Sequence, residues 1–226
     1  MWRLIARGAV VAALICSAGP ALASQNAQYG DDFRQMDVKS CSTKAIDALS
    51  EQKFIEGNND GQVVWGFDEQ SVVLVRCVPY NNGVWIEVLA ASRSPAEAER
   101  LRNIIRIRVF DARRTPPDIL AVTRFNGDGL NRVKRPRTQP AAHWGYDHRP
   151  KSLAACTDDA KAAMQKSGLA ISTSGNSVVW GQSGSALALV KCLSIPSGVD
   201  ILVFATSDVS ATAEAYRNNI RILTFK

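Results

Sequence analysis

The stretches VVLVRCVPYNNGVWIEVLA (residues 72–90) and LALVKCLSIPSGVDILVFA (residues 187–205) carry one pattern at two places in the chain. Each is a pair of apolar runs about a turn-forming centre, and Asn82-Gly83 between the runs of the first copy is a strong β-hairpin signal. Extended outward, residues 28–111 align with residues 143–226 at a constant offset of 115, without a gap, matching at about one position in three. The chain is a duplicated module. Two copies are too few for a solenoid, so each must bury most of its own core or pack on its twin.

Differences between the copies identify the buried face. Val84/Val199, Ile86/Ile201, Val88/Val203 and Ala90/Ala205 stay aliphatic, whereas the alternate pairs Trp85/Asp200, Glu87/Leu202 and Leu89/Phe204 change character. Successive side chains of a strand point to opposite faces, so the unchanging set belongs on one face, which is assigned to helices. Val73/Ala188, Val75/Val190 and Cys77/Cys192 share it. The other face of that strand, Val72/Leu187, Leu74/Leu189 and Val78/Leu193, is broken only by Arg76/Lys191 and is too apolar to stand in water. The simplest cover is the twin copy, with a dimer partner or a bound ligand as alternatives.

The remainder of each copy reads as helix, four short strands, helix. Ala45, Ala48 and Leu49, and their counterparts Ala160, Ala163 and Met164, recur at helical spacing. Gly168 marks the stop of the second opening helix. Val63-Val64-Trp65-Gly66 and Val178-Val179-Trp180-Gly181 read as a strand, with the tryptophan as core filler beside a tight turn. Ser94-Pro95-Ala96-Glu97 has the cap, first-turn proline and box glutamate of a helix start. The expected class is α+β: tandem modules, each a small antiparallel meander of three to four strands between an N-terminal and a C-terminal helix, with one disulfide per module.

Residues 1–23 read as a signal peptide. Arg3 and Arg7 precede an apolar run too short to span a bilayer, and Ala21-Leu22-Ala23 supplies a cleavage pattern before Ser24. Cleavage removes Cys16 and leaves four cysteines, an even number that suits an oxidising compartment. If the copies fold alike, the bridges are Cys41 to Cys77 and Cys156 to Cys192. Each closes a loop of about 36 residues, worth roughly 3 to 4 kcal/mol in the chain-entropy model. The expected location is periplasmic or secreted.

Charge separates the rest of the chain into three parts. The first repeat, residues 24–112, is −3; a connector, residues 113–142, is +5; the second repeat, residues 143–226, is +2. The connector holds Pro116, Pro117, Pro136, Pro140, Gly127 and Gly129, a composition that resists regular structure. Lys134, Arg135 and Arg137 offer a weak contact to an anionic surface, but the basicity is too local to indicate nucleic acid.

Catalytic signatures are sparse. Gly181-Gln182-Ser183-Gly184-Ser185 lacks the final glycine of a nucleophile elbow and reads as a hairpin turn. There is no phosphate loop or dinucleotide fingerprint, hence no cofactor assignment, and the two histidines, His143 and His148, do not make a metal-ligand set. The polar residues shared by the copies are Asp32/Asp147, Arg34/Arg149, Arg102/Arg217 and Arg106/Arg221. They form a candidate anion site, or a network in which the aspartate ties the entry segment to the closing helix. The expected function is a secreted or periplasmic non-catalytic binding or interaction protein, whose partner is an envelope protein, a polymer or a small ligand. The alternative is a small cell-envelope hydrolase with carboxylates at the interdomain interface.

Overall fold

The computed structural model describes residues 26–59, 61–110, 141–175 and 177–226. The segment read as a signal peptide and most of the connector, with Lys134, Arg135 and Arg137, lie outside the described residues. The first module runs β1 (Asn26–Arg34), α1 (Val38–Glu51), β2 (Ile55–Asn59), β3 (Val63–Phe67), β4 (Ser71–Tyr80), β5 (Gly83–Ser92) and α2 (Pro95–Phe110). The second repeats it as β6 (Ala141–Arg149), α3 (Leu153–Lys166), β7 (Ala170–Ser174), β8 (Val178–Ser183), β9 (Ala186–Ile195), β10 (Gly198–Ser207) and α4 (Ser210–Thr224). Both sheets are antiparallel, in the orders β1-β5-β4-β3-β2 and β6-β10-β9-β8-β7. The α+β class and the duplication stand.

Each sheet has one more strand than the meander expected from sequence. The segment before the opening helix pairs with the last strand over nine positions, Asn26 opposite Ser92 through Arg34 opposite Val84, and β6 does the same against β10. Glycine and paired aspartates hide this strand from a propensity reading. A second difference concerns the hairpin register. Tyr80 pairs with Gly83, so the turn is Asn81-Asn82 and Gly83 opens β5. A side chain at Gly83 would strike the Arg34 carbonyl oxygen at 2.3 Å, and one at Gly198 would strike that of Arg149 at 2.2 Å. Close backbone approach fixes Gly83, and at Gly198 it is joined by a backbone φ of +139° that other residues rarely adopt.

The helix-facing core follows the aliphatic pattern. Val84, Ile86, Val88 and Ala90 pack with Val73, Val75 and Cys77 beneath Ala45, Ala48, Leu49, Leu101 and Ile105. The second module builds the same core from Val199, Ile201, Val203 and Ala205 beneath Ala160, Ala163 and Met164. Disulfides join Cys41 to Cys77 and Cys156 to Cys192, stapling the opening helix to the fourth strand in each. Gly66 and Gly181 let that helix and the chain leaving it approach. A side chain at Gly66 would come within 3.0 Å of Phe54, and one at Gly181 within 2.8 Å of Met164.

A third core lies between the sheets. Val63, Val72, Leu74, Leu89 and Ala91 of the first module meet Ala142, Leu189, Leu202 and Phe204 of the second. Trp65 and Trp144 pack edge to face with centroids 5.1 Å apart. The twin copy therefore covers the apolar sheet face, giving four layers: helices, sheet, sheet, helices. Among the described residues no helix is long and apolar enough to cross a membrane.

Candidate functional site

The shared Asp and Arg residues sit on the helix side of β1 and β6. Arg34 Nη1 lies 2.7 Å from Asp32 Oδ2, and its Nε donates to the Phe110 carbonyl at the end of α2. In the second module Arg149 Nη2 lies 2.5 Å from Asp147 Oδ2, and its Nε donates to the Phe225 carbonyl just past α4. A cation at a helix C-terminus satisfies an orphan carbonyl and complements the helix dipole. Arg102 and Arg106 lay their stems across Gly30, whose added Cβ would sit 3.0 Å from Arg102 Cδ; Arg217 and Arg221 cross Gly145 in the same way. Arg34 and Arg106 both stack on Phe110. The eight residues thus fall into two matching groups, one per module, each tying a strand to its closing helix. Asp32 pairs with Arg34, and neither Arg102 nor Arg106 is drawn into that ion pair.

A second constellation lies between the sheets, where the sequence showed only Arg76/Lys191 as interruptions of an apolar face. Arg76 is 1% exposed and reaches across the modules, with Nη2 2.6 Å from Asp200 Oδ2 and Nη1 3.3 Å from Glu87 Oε2 on the neighbouring strand. Its guanidinium covers the Tyr146 ring at 4.6 Å. Lys191 makes the reverse crossing, with Nζ 2.5 Å from Asp31 Oδ2 and 5.3 Å from the Tyr29 ring centroid. Asp31 also accepts from the Tyr29 hydroxyl and the Trp85 indole. The sites are related by the repeat, but with two roles exchanged. Arg76 finds its acid on β10 and its aromatic on β6, while Lys191 finds an aromatic, Trp85 at 5.8 Å, on β5 and its acid on β1, where Tyr29 adds a second ring.

Glu87 is the additional charge. It is fully buried, and desolvation pushes its carboxyl above the usual carboxylate range, with the Arg76 and Lys191 cations drawing it part of the way back. Burial and then the nearby Glu87 and Asp31 charges also raise the Tyr29 phenol, which keeps it a hydrogen-bond donor.

The network opens at one end into a cleft of about 320 Å³ between the modules. Val78, Pro79, Ile195 and Tyr146 supply apolar wall, Asp147, His148 and Ser197 lie at its edge, and Arg76 and Asp200 are its charged pair. His148 pairs with Asp200 across β6 and β10. His143 lies on the opposite face of β6, where its ring contacts Ser210, so the two histidines do not converge. The turn reading of residues 181–185 matches the hairpin between β8 and β9, with Gly184 at φ +55°. Glu87 contributes its charge from behind Arg76 and does not face the cleft.

No protein-family model and no curated protein matches the chain. Among solved structures it is similar to the di-domain ARO/CYC StfQ from the steffimycin biosynthetic pathway, over 87% of this chain and 96% of that one, at 8% identity and a TM-score of 0.31. The di-domain ARO/CYC BexL from the BE-7585A biosynthetic pathway aligns over 89% of this chain and 99% of its own, at 6% identity and a TM-score of 0.27. Likeness at this level carries nothing about activity.

Proposed function

We propose that the mature chain is a secreted or periplasmic, non-catalytic binding protein whose two repeated domains hold a small ligand in the cleft between them. The observation that carries this reading is the way the interdomain charges are used. Arg76, Lys191, Asp31, Glu87 and Asp200 are engaged with one another and with aromatic rings across the interface, so they lock the modules and shape a cleft. A hydrolase would need a carboxyl of raised pKa open to substrate, and Glu87, which has the raised pKa, is closed off behind Arg76. The paired cysteines of each module support an oxidising compartment.

Secretion is tested by expressing the full chain with its native leader and sequencing the N-terminus of the periplasmic or culture-fluid product, which should begin at Ser24. Binding is tested by incubating the purified protein with an envelope extract and identifying what co-elutes by mass spectrometry. A small molecule retained in stoichiometric amount and recovered unchanged supports the proposal. Turnover of an envelope substrate by the purified protein overturns it.

A further inference from the structure

The two ends of the interface between the sheets are built unequally. At one end Trp65 is flanked by two rings, Trp144 edge-on at 5.1 Å and Phe67 stacked at 5.6 Å, and Val63, Val72 and Ala142 beside them are buried. The repeat places Trp180, Val178, Leu187 and Ala27 at the other end, where Tyr29 stands for Trp144 and Gln182 for Phe67. Neither replacement covers the indole. The Tyr29 hydroxyl donates to Asp31 and reaches toward Glu87 in the charge network, and Gln182 is exposed. Trp180 meets no other ring among the described residues, and Val178, Leu187 and Ala27 are only half-buried. The result is a groove of about 420 Å³ walled by both modules, with β1 on one side and β7, β8 and β9 on the other.

We infer that this groove binds a flat, uncharged aromatic ring of a small molecule, which packs on the Trp180 indole as Trp144 packs on Trp65 in the other half. The filled end carries the choice of ligand, because the corresponding tryptophan, valine and alanine on the corresponding strands are covered there by an indole. Tyr29 is the one ionisable side chain of the lining, and burial and nearby carboxylates keep its phenol neutral, so the walls supply no charge to pair with an ionic ligand. The volume lies within the range of small-molecule sites, and a ring seated against a ring gains more than its buried area alone supplies. The groove shares no lining residue with the cleft around Arg76 and Asp200, so this second site goes beyond the proposed function and does not rest on it.

The test is calorimetric titration of the purified protein at pH 7 with three probes: 2-naphthol, its saturated analogue decahydro-2-naphthol and the anion 2-naphthoate. A ring-on-ring contact corresponds to about two- to twelvefold in affinity, so 2-naphthol should bind at least threefold more tightly than the saturated alcohol, and more tightly than the carboxylate. Trp180→Leu should remove most of the preference for the aromatic alcohol. Ser172→Trp, at an exposed position on the groove wall, should abolish 2-naphthol binding without altering the circular dichroism spectrum, which covers the case in which Trp180→Leu does not fold. Ser197→Trp, at the edge of the charged cleft, should leave 2-naphthol binding within twofold. Equal binding of the saturated alcohol, tighter binding of the carboxylate, no binding of 2-naphthol, or binding that Ser172→Trp leaves intact overturns the assignment. Binding lost in Ser197→Trp and kept in Ser172→Trp also overturns it, while supporting the charged cleft as the ligand site of the proposed function.

Discussion

The left-handed position after the opening helix shows how two copies of one backbone tolerate different residues. In the second module it is Gly168, at φ +78°; in the first the corresponding residue is Lys53, at φ +61°. A β-carbon in this region costs about 1 kcal/mol, and Gly is the usual occupant after a helix. Nothing lies within 4 Å of a Cβ built on Gly168, so conformation alone decides the cost there. Lys53→Gly should raise stability by about 0.5 to 1 kcal/mol, and Gly168→Ala should lower it by about the same amount. Urea midpoints at constant m-value measure both, and a Lys53→Gly midpoint below wild type would contradict the account. Gly83 and Gly198 add a steric cost, because a methyl group there meets backbone oxygen at 2.3 and 2.2 Å, and Gly198 carries a φ of +139° as well. Alanine at either should cost more than about 2 kcal/mol, since the end of the first strand of the module must move away.

At the level of elements, the aliphatic face of β5 and β10 was legible because duplication held Val84/Val199, Ile86/Ile201 and Val88/Val203 constant while the opposite face changed. The disulfides were legible for the same reason. β1 was not, because Gly30, Asp31 and Asp32 carry little strand propensity. Its signal was a spacing: Gly30, Asp32 and Arg34 recur at intervals of two and face α2 together, while Ala27, Tyr29 and Phe33 occupy the other side. The Glu87 position on β5 gives a prediction at this scale. Its carboxyl titrates above the ordinary value of 4.5 in the folded protein. Between those two values the folded state holds a proton that the unfolded chain has released, so stability falls as pH rises through this window and is highest below it. Glu87→Gln keeps the shape and removes the titration. The variant should show a flatter stability profile from pH 4 upward and equal or exceed wild type at neutral pH. A wild-type profile that instead rises across that range, and becomes flat in the variant, would reverse the sign argued here.

For the whole molecule, the interface between sheets explains why the charge network escaped a residue-by-residue comparison of the copies. Trp85 aligns with Asp200 and Asp31 with Tyr146, so acid faces aromatic in the alignment and each pair looks like simple divergence. In space the exchange is compensated: Arg76 receives Asp200 with Tyr146, and Lys191 receives Asp31 with Trp85 and Tyr29. Each cation receives an acid and an aromatic surface from the other module, and Arg76 has Glu87 of its own module besides. Opposite charges desolvated across an interface fix which surfaces meet more than they add to affinity, and removing one partner leaves a buried charge at a cost of about 3 to 5 kcal/mol. Arg76→Met should therefore weaken the packing of sheet on sheet while sparing the helix-side cores and disulfides, which lie wholly within each module. Trp65 and Trp144 report on the interface directly, because their rings touch across it. In wild type, tryptophan fluorescence and far-ultraviolet circular dichroism should lose signal together in denaturant. In Arg76→Met the fluorescence change should come first, at lower denaturant, followed by loss of secondary structure; coincident transitions in the variant would mean that the modules are not held together through this network.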